Sequence, residues 1–174
     1  MSVVTLVGNP RPGSRTLSVA TSAAQAVGDR LGAVSEAYEV VDLSGLAPHL
    51  LSPVAHPDVR AALELVTGAS IVVVASPTYK GTYTGLLKSF LDRLPPDALA
   101  GTAALPLLVM GDPKHALAVE VHLRPLLVEL GAFVPTPGLA VLESQIPELG
   151  EVVAGWADRV APQVTAVLKE GALS

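Results

Sequence analysis

Cysteine is absent from the 174-residue chain, which excludes disulfides, thiolate metal sites and cysteine nucleophiles together. Aromatic residues are scarce, with one Trp, three Tyr and two Phe. Val, Leu and Ala must therefore fill the core of a chain that is 50% hydrophobic. Only 16% of the residues are charged, and 11 Lys and Arg against 16 Asp and Glu leave a net charge of −5. No Lys/Arg cluster would neutralise a run of phosphates, so nucleic acid is not an expected partner. No apolar run reaches the length that spans a bilayer. The start MSVVTLVGN has no basic segment before its apolar run and no cleavage site after it, so it reads as a strand and not a signal peptide. The expectation is a soluble cytoplasmic protein.

The length suits one well-buried domain, residues 1–174, and is too short for two ordinary ones. The 15 Gly and 15 Pro are scattered and form no low-complexity block or linker. Apolar runs alternate with helical patterns. Strands are predicted at 2–8, 33–43 (nearer a sheet edge), 70–77, 105–111 and 138–142. Helices are predicted at 15–31, 57–68, 84–93, 116–131 and 147–170, with a Pro- and His-containing loop over 44–56. SIVVVASP is the strongest strand, a β-branched run of the kind buried on both faces of a parallel sheet. Five strands separated by helices predict a three-layer, doubly wound α/β fold with strand order 2-1-3-4-5. That order brings loops 8–15 and 76–83 together at the switch point, with 111–115 beside them.

The first loop, GNPRPGSR, nearly matches a P-loop because Gly8 and Gly13 have the right separation. Ser14 and Arg15, however, stand where that motif needs Lys and Ser/Thr, and the dinucleotide fingerprint G-x-G-x-x-G is also missing. What remains is two guanidinium groups (Arg11, Arg15), two hydroxyls (Ser14, Thr16) and the N–H groups of a helix N-terminus. This set suits a phosphate monoester; the plainer reading is a solvated loop in which Ser14 or Thr16 caps the helix. The second loop carries Tyr79 and Tyr83 with Gly81 and Gly85, a composition that suits a flat ring approached closely by backbone, or simply aromatics packing a loop. A planar heterocycle joined to a phosphate, as in FMN, satisfies both loops. A hydrolase elbow is excluded because GTYTG has no central Ser.

Three blocks, TLVGNPRPGSR, SPTYKGTYTGLLKSFLDRLP with LPLL after it, and HALAVEVHLRPLLVELGA, resemble the flavodoxin-like NADPH-dependent FMN reductases over roughly residues 3–142. The similarity is greatest to the branch that supplies reduced flavin to alkanesulfonate and related monooxygenases. The resemblance implies FMN and NADPH or NADH as cofactors, and a homodimer or tetramer. It also implies a site in which Arg11, Ser14, Arg15 and Thr16 hold the FMN phosphate, with Asn9 beside them in the cofactor site. Pro77, Thr78, Tyr79, Lys80 and Gly81 would line the isoalloxazine ring, and Gly111 would flank its other side. Asn9 replaces the family's usual Ser, and GDPKH at 111–115 replaces a more usual Gly-Gly turn. Free-flavin members of the branch carry an aromatic or His insertion that makes a helical bulge near 118–125. Here Val121 and His122 occupy that stretch, and without a bulge the flavin would be held more tightly.

Hydride transfer between stacked rings needs orientation more than a protein acid or base, so no catalytic side chain is assigned. Lys80 either adds positive potential near the ring or is a solvated surface residue. The four His form no metal set, His115 and His122 lacking a third ligand at metal spacing. Asp42 reads as a loop or capping residue, and Glu120, Arg124 and Glu129 as a solvated helix edge with i,i+4 pairing open to them. Pro125 must kink or locally unwind its helix, since it has no N–H to donate. The apolar excess of that helix (Leu117, Val121, Leu123, Leu126, Leu127, Leu130) and of GLLKSFL points to a homodimer through both. The reading is an NAD(P)H-dependent FMN reductase serving a separate monooxygenase. The alternatives are a flavin-retaining quinone or azo reductase and a flavodoxin-like electron carrier without turnover.

Overall fold

Uninterrupted burial marks the centre of the sheet. In a computed structural model that describes residues 1–33 and 38–171, β1 (Val3–Val7) and β4 (Ala103–Met110) are buried at every position, and β3 (Ile71–Pro77) at all but its last. Strands whose two faces are both covered can be apolar throughout, and these are. β2 (Tyr38–Asp42) pairs only with β1 and alternates poorly, as an edge strand does; residues 34–37 of its expected span lie outside the described residues. β5 (Leu139–Leu142) closes the other edge. All pairings are parallel, in the order 2-1-3-4-5, with Val3 in register with both Tyr38 and Ile71.

Alternate strand residues feed two cores. Val3, Val7, Ile71, Val73, Leu105 and Leu107 pack against α1 (Arg15–Leu31) and α5 (Leu149–Gly171), where the buried Trp156 is the largest side chain. Val4, Leu6, Val72, Val74 and Leu108 face α2 (Pro57–Thr67), α3 (Gly85–Leu91) and α4 (Arg124–Glu129). Trp156 spends its only polar atom on the carbonyl of Pro137, 2.8 Å away. Among the described residues no helix is long and apolar enough to cross a membrane.

The helix expected over 116–131 is instead a wide π turn, Val119–Leu123, running into α4. Pro125 supplies the physical reason. It has no N–H to donate, and its ring collides with the carbonyl four residues back in a regular helix. Widening the preceding turn, with the Arg124 N–H donating to the carbonyl of Val119, accommodates both defects.

Glu120 and Arg124 are not a solvated helix edge. The Arg124 guanidinium bonds Glu120 and reaches the carbonyls of Val134 and Pro135, while Glu120 accepts from the Gly138 N–H. Together they clasp the segment that leads into β5. The hydrogen bond from Arg124, assisted by that from Gly138, holds the Glu120 carboxyl below its ordinary value against the opposing effect of burial. The folded protein therefore binds this proton more weakly than the unfolded chain. The clasp stabilises fully above about pH 4.5, and its contribution is lost as the pH falls through the lower folded value. Glu120→Gln is expected to flatten the acid limb of Tm against pH between about pH 5 and 3. An acid limb as steep as that of the wild type would show that other carboxylates govern it.

Candidate active site

The first loop is organised by Asn9. Its buried carboxamide donates from Nδ2 to Thr16 Oγ1 at 3.0 Å and accepts the Arg11 N–H on Oδ1 at 3.0 Å. Gly13 turns the chain through a left-handed conformation (φ 60°), and Ser14 then caps α1, its Oγ accepting the Leu17 N–H at 3.1 Å. Both hydroxyls, at Ser14 and Thr16, act here as acceptors and keep a proton to donate. The N–H groups of Arg15 and Thr16 have no partner within the helix, as the geometry of any first turn requires. The loop thus presents two guanidinium groups, hydroxyl protons and a helix N-terminus, a donor set matched to an oxyanion.

The second loop is a two-residue hairpin turn. Tyr79 and Thr82 exchange backbone hydrogen bonds of 2.9 and 3.4 Å across Lys80 and Gly81, which both take positive φ (54° and 87°). This is the type I′ geometry, natural for Gly and costly for Lys, so Lys80 is held in a conformation its side chain disfavours. The turn leaves Tyr79 43% exposed, whereas Tyr83 packs against the core on the α2–α4 face. The Thr78 N–H continues the sheet by donating to Val109. The hydroxyls of Thr78 and Thr82 are buried without a protein partner among the described residues. Orphaned polar groups of this kind beside a cleft fit a polar ligand edge.

Ser76 and Thr84, neither singled out from the sequence, lock the two loops together. Thr84 Oγ1 donates to the carbonyl of Gly8 at 2.6 Å and caps α3 by accepting the Leu87 N–H, while Ser76 Oγ accepts the Thr84 N–H. Gly8 itself lies against α3, where an added Cβ would sit 2.5 Å from Leu87 Cβ. The Thr-Gly-Leu-Leu order was a readable capping signal; the contact with Gly8 was not.

A cleft of about 430 Å³ opens where these loops meet, lined by Asn9, Arg11 to Thr16, Pro77, Tyr79, Val109 and Glu143. Seven of the predicted residues (Asn9, Arg11, Ser14, Arg15, Thr16, Pro77 and Tyr79) thus share one cleft. Lys80 and Gly81 belong to the adjoining turn, Thr78 links β3 to it, and Gly111 lies exposed just past β4. The short turn Pro113–His115 reaches this turn as well, with His115 Nε2 4.0 Å from where a Gly81 Cβ would be. Asp112 caps it, bonded by the ammonium and the N–H of Lys114, and these bonds hold its carboxyl below the usual range. Asp42 is a turn residue, accepting the Ser44 N–H. Among the described residues no group of three His, Cys, Asp or Glu is placed to hold a metal.

A parallel sheet of order 2-1-3-4-5 with an Arg- and Ser-bearing loop after β1 and an aromatic turn after β3, meeting at one cleft, defines a flavodoxin-like protein. The model of the NADPH-dependent FMN reductase family matches residues 1–146, and the chain belongs to that family. It is 36% identical to an FMN reductase (NADPH) of Escherichia coli (strain K12) over 148 residues, 84% of this chain and 75% of that one. It is 28% identical to the NADH-dependent FMN reductase SfnE of Pseudomonas putida, covering 92% and 87% of the two chains. The crystal structure of an NADH:FMN oxidoreductase (EmoB) in its apo form superposes with a TM-score of 0.78 at 34% identity, over 99% of this chain and 88% of that one. The protein is an oxidoreductase, an NAD(P)H-dependent FMN reductase. Membership in an enzyme family sets aside the reading as an electron carrier without turnover.

Proposed function

We propose that this single flavodoxin-like domain reduces FMN as a substrate that comes and goes, and passes reduced flavin to a separate flavin-dependent monooxygenase. The observation that carries the reading is the pairing of a two-arginine phosphate loop with an aromatic hairpin turn across one cleft. The π turn at Val119–Leu123 adds support. It lies where the resemblance puts the helical bulge of free-flavin reductases, and it contains Val121 and His122.

Arg11 and Arg15, the hydroxyls of Ser14 and Thr16, and the first N–H groups of α1 hold the FMN phosphate. Asn9 shapes the loop that presents them, since both ends of its carboxamide are engaged within it. Pro77 to Gly81 line the isoalloxazine ring, with backbone N–H groups toward its polar edge and Lys80 adding positive potential. Gly111 flanks the other side of the ring. When bound, FMN supplies the hydride-accepting ring; the protein orients it against the nicotinamide and shields it. No side chain is assigned as general acid or base.

The test is oxidation of NADPH or NADH by the purified protein, followed by nicotinamide absorbance with and without added FMN. Oxidation that requires added FMN is expected. A yellow protein that oxidises nucleotide without added flavin would favour the flavin-retaining reductase.

We also propose a homodimer. The apolar excess of α3 is spent in its own core, Leu87, Phe90 and Leu91 being buried. In the π and α4 segment Leu123, Leu127 and Leu130 are buried as well, but Leu117 is 71%, Val121 56% and Val128 54% exposed. A second copy covering these residues accounts for them. Replacing both Leu117 and Val121 by Glu is expected to yield monomers in sedimentation, and an unchanged dimer would place the interface elsewhere.

A further inference from the structure

Glu143, the first residue after β5, lines the same cleft and places its carboxylate 3.0 Å from Arg15 Nη1. Among the described residues it is the one acidic residue lining the cleft, whose cations there are Arg11 and Arg15. An acid there opposes the task of the loop. It neutralises half of the side-chain positive charge available to a phosphate monoester that carries about 1.5 to 2 negative charges at neutral pH. The pair is open to solvent, with Arg15 64% and Glu143 42% exposed, so its hold on the guanidinium is weak and exchangeable.

We propose that Glu143 competes with the flavin phosphate for Arg15 and so weakens FMN retention, setting how readily the flavin leaves. The proposal rests on the assignment of Arg15 to the phosphate. When the phosphate enters, the guanidinium turns from one anion to the other, and the displaced carboxylate remains within a few ångströms of the new charge. Through solvent at such a distance, the repulsion and the lost partner amount to about three- to tenfold in affinity. Riboflavin has the same ring and side chain but no phosphate, so the competition leaves its binding untouched.

Dissociation constants for FMN and riboflavin, measured by flavin fluorescence on the full chain and on Glu143→Gln and Arg15→Ala variants, test this. Gln keeps an oxygen that accepts from Arg15 and removes only the charge, at an exposed position where folding does not depend on it. The expected result is FMN binding tightened about three- to tenfold in E143Q, with riboflavin binding unchanged. Weaker or unchanged FMN binding in E143Q would overturn the proposal, the weaker case showing that Glu143 serves to position Arg15. Equal tightening of both flavins would overturn it too, because the effect would then not lie on the phosphate. R15A separates the premise from the inference. If FMN binding is unaffected by R15A the phosphate assignment fails; if R15A weakens it while E143Q does not tighten it, only the role of Glu143 fails.

Discussion

Replacing Arg15 by alanine is expected to raise the FMN dissociation constant by about ten- to a hundredfold. A charge-assisted hydrogen bond to an oxyanion contributes about 1.5–3 kcal/mol, and each 1.4 kcal/mol is about a factor of ten in affinity. The fold has little stake in this side chain. It is largely exposed, and its ion pair with Glu143 is of the surface kind that contributes at most about 1 kcal/mol. Tm should therefore move by no more than about 4 °C. Titration of FMN against the variant, with melting curves alongside, checks both halves. Unchanged affinity would remove the phosphate from Arg15, and a large drop in Tm would mean that Arg15 is structural.

Gly8→Ala is expected to cost about 2–3 kcal/mol of stability and to lower Tm by roughly 5–10 °C. The usual effect of such a change at an unstrained site is the opposite, a gain of about 0.4–1 kcal/mol from a stiffer unfolded chain. Gly8 is not in the left-handed region, so conformation does not demand glycine here. Space does. A methyl group would lie 2.5 Å from Leu87 Cβ and 3.2 Å from Leu87 Cα, and neither atom can rotate away. Relief requires α3 to shift, which strains the bonds from Thr84 to the Gly8 carbonyl and to Ser76. Because those bonds join the two loops, FMN affinity should fall together with Tm. A variant as stable as the wild type would show that α3 can retreat without cost.

The readable parts of this protein were those set by local pattern. Continuous β-branched runs identified β1 and β3, and helical spacing between them identified a parallel sheet, since parallel neighbours need a crossover. The Gly, Arg and Ser of the first loop were readable as a strand running into a helix N-terminus, where unpaired N–H groups occur in any such turn, and these residues do line one cleft. Tyr79 and Tyr83 were alike in sequence, and their fates differ because only the fold decides which lies over the cleft and which turns to the core. Glu120 and Arg124 had the spacing of an ordinary surface pair, yet they hold the segment from Val134 to Gly138.

Sequence alone determined the layered α/β architecture and the residue types of the first loop, because propensity, periodicity and turn chemistry act over a few neighbouring residues. The strand order followed from the commonest arrangement of such sheets, which the fold keeps. Only the tertiary structure decided that Thr84 locks Gly8, that Pro125 is accommodated by a π turn and that Glu143 meets Arg15. Glu143 and Arg15 are 128 positions apart, joined by a salt bridge across the cleft. Contacts between segments that distant depend on how the whole sheet twists and stacks its helices, and no local pattern carries that information.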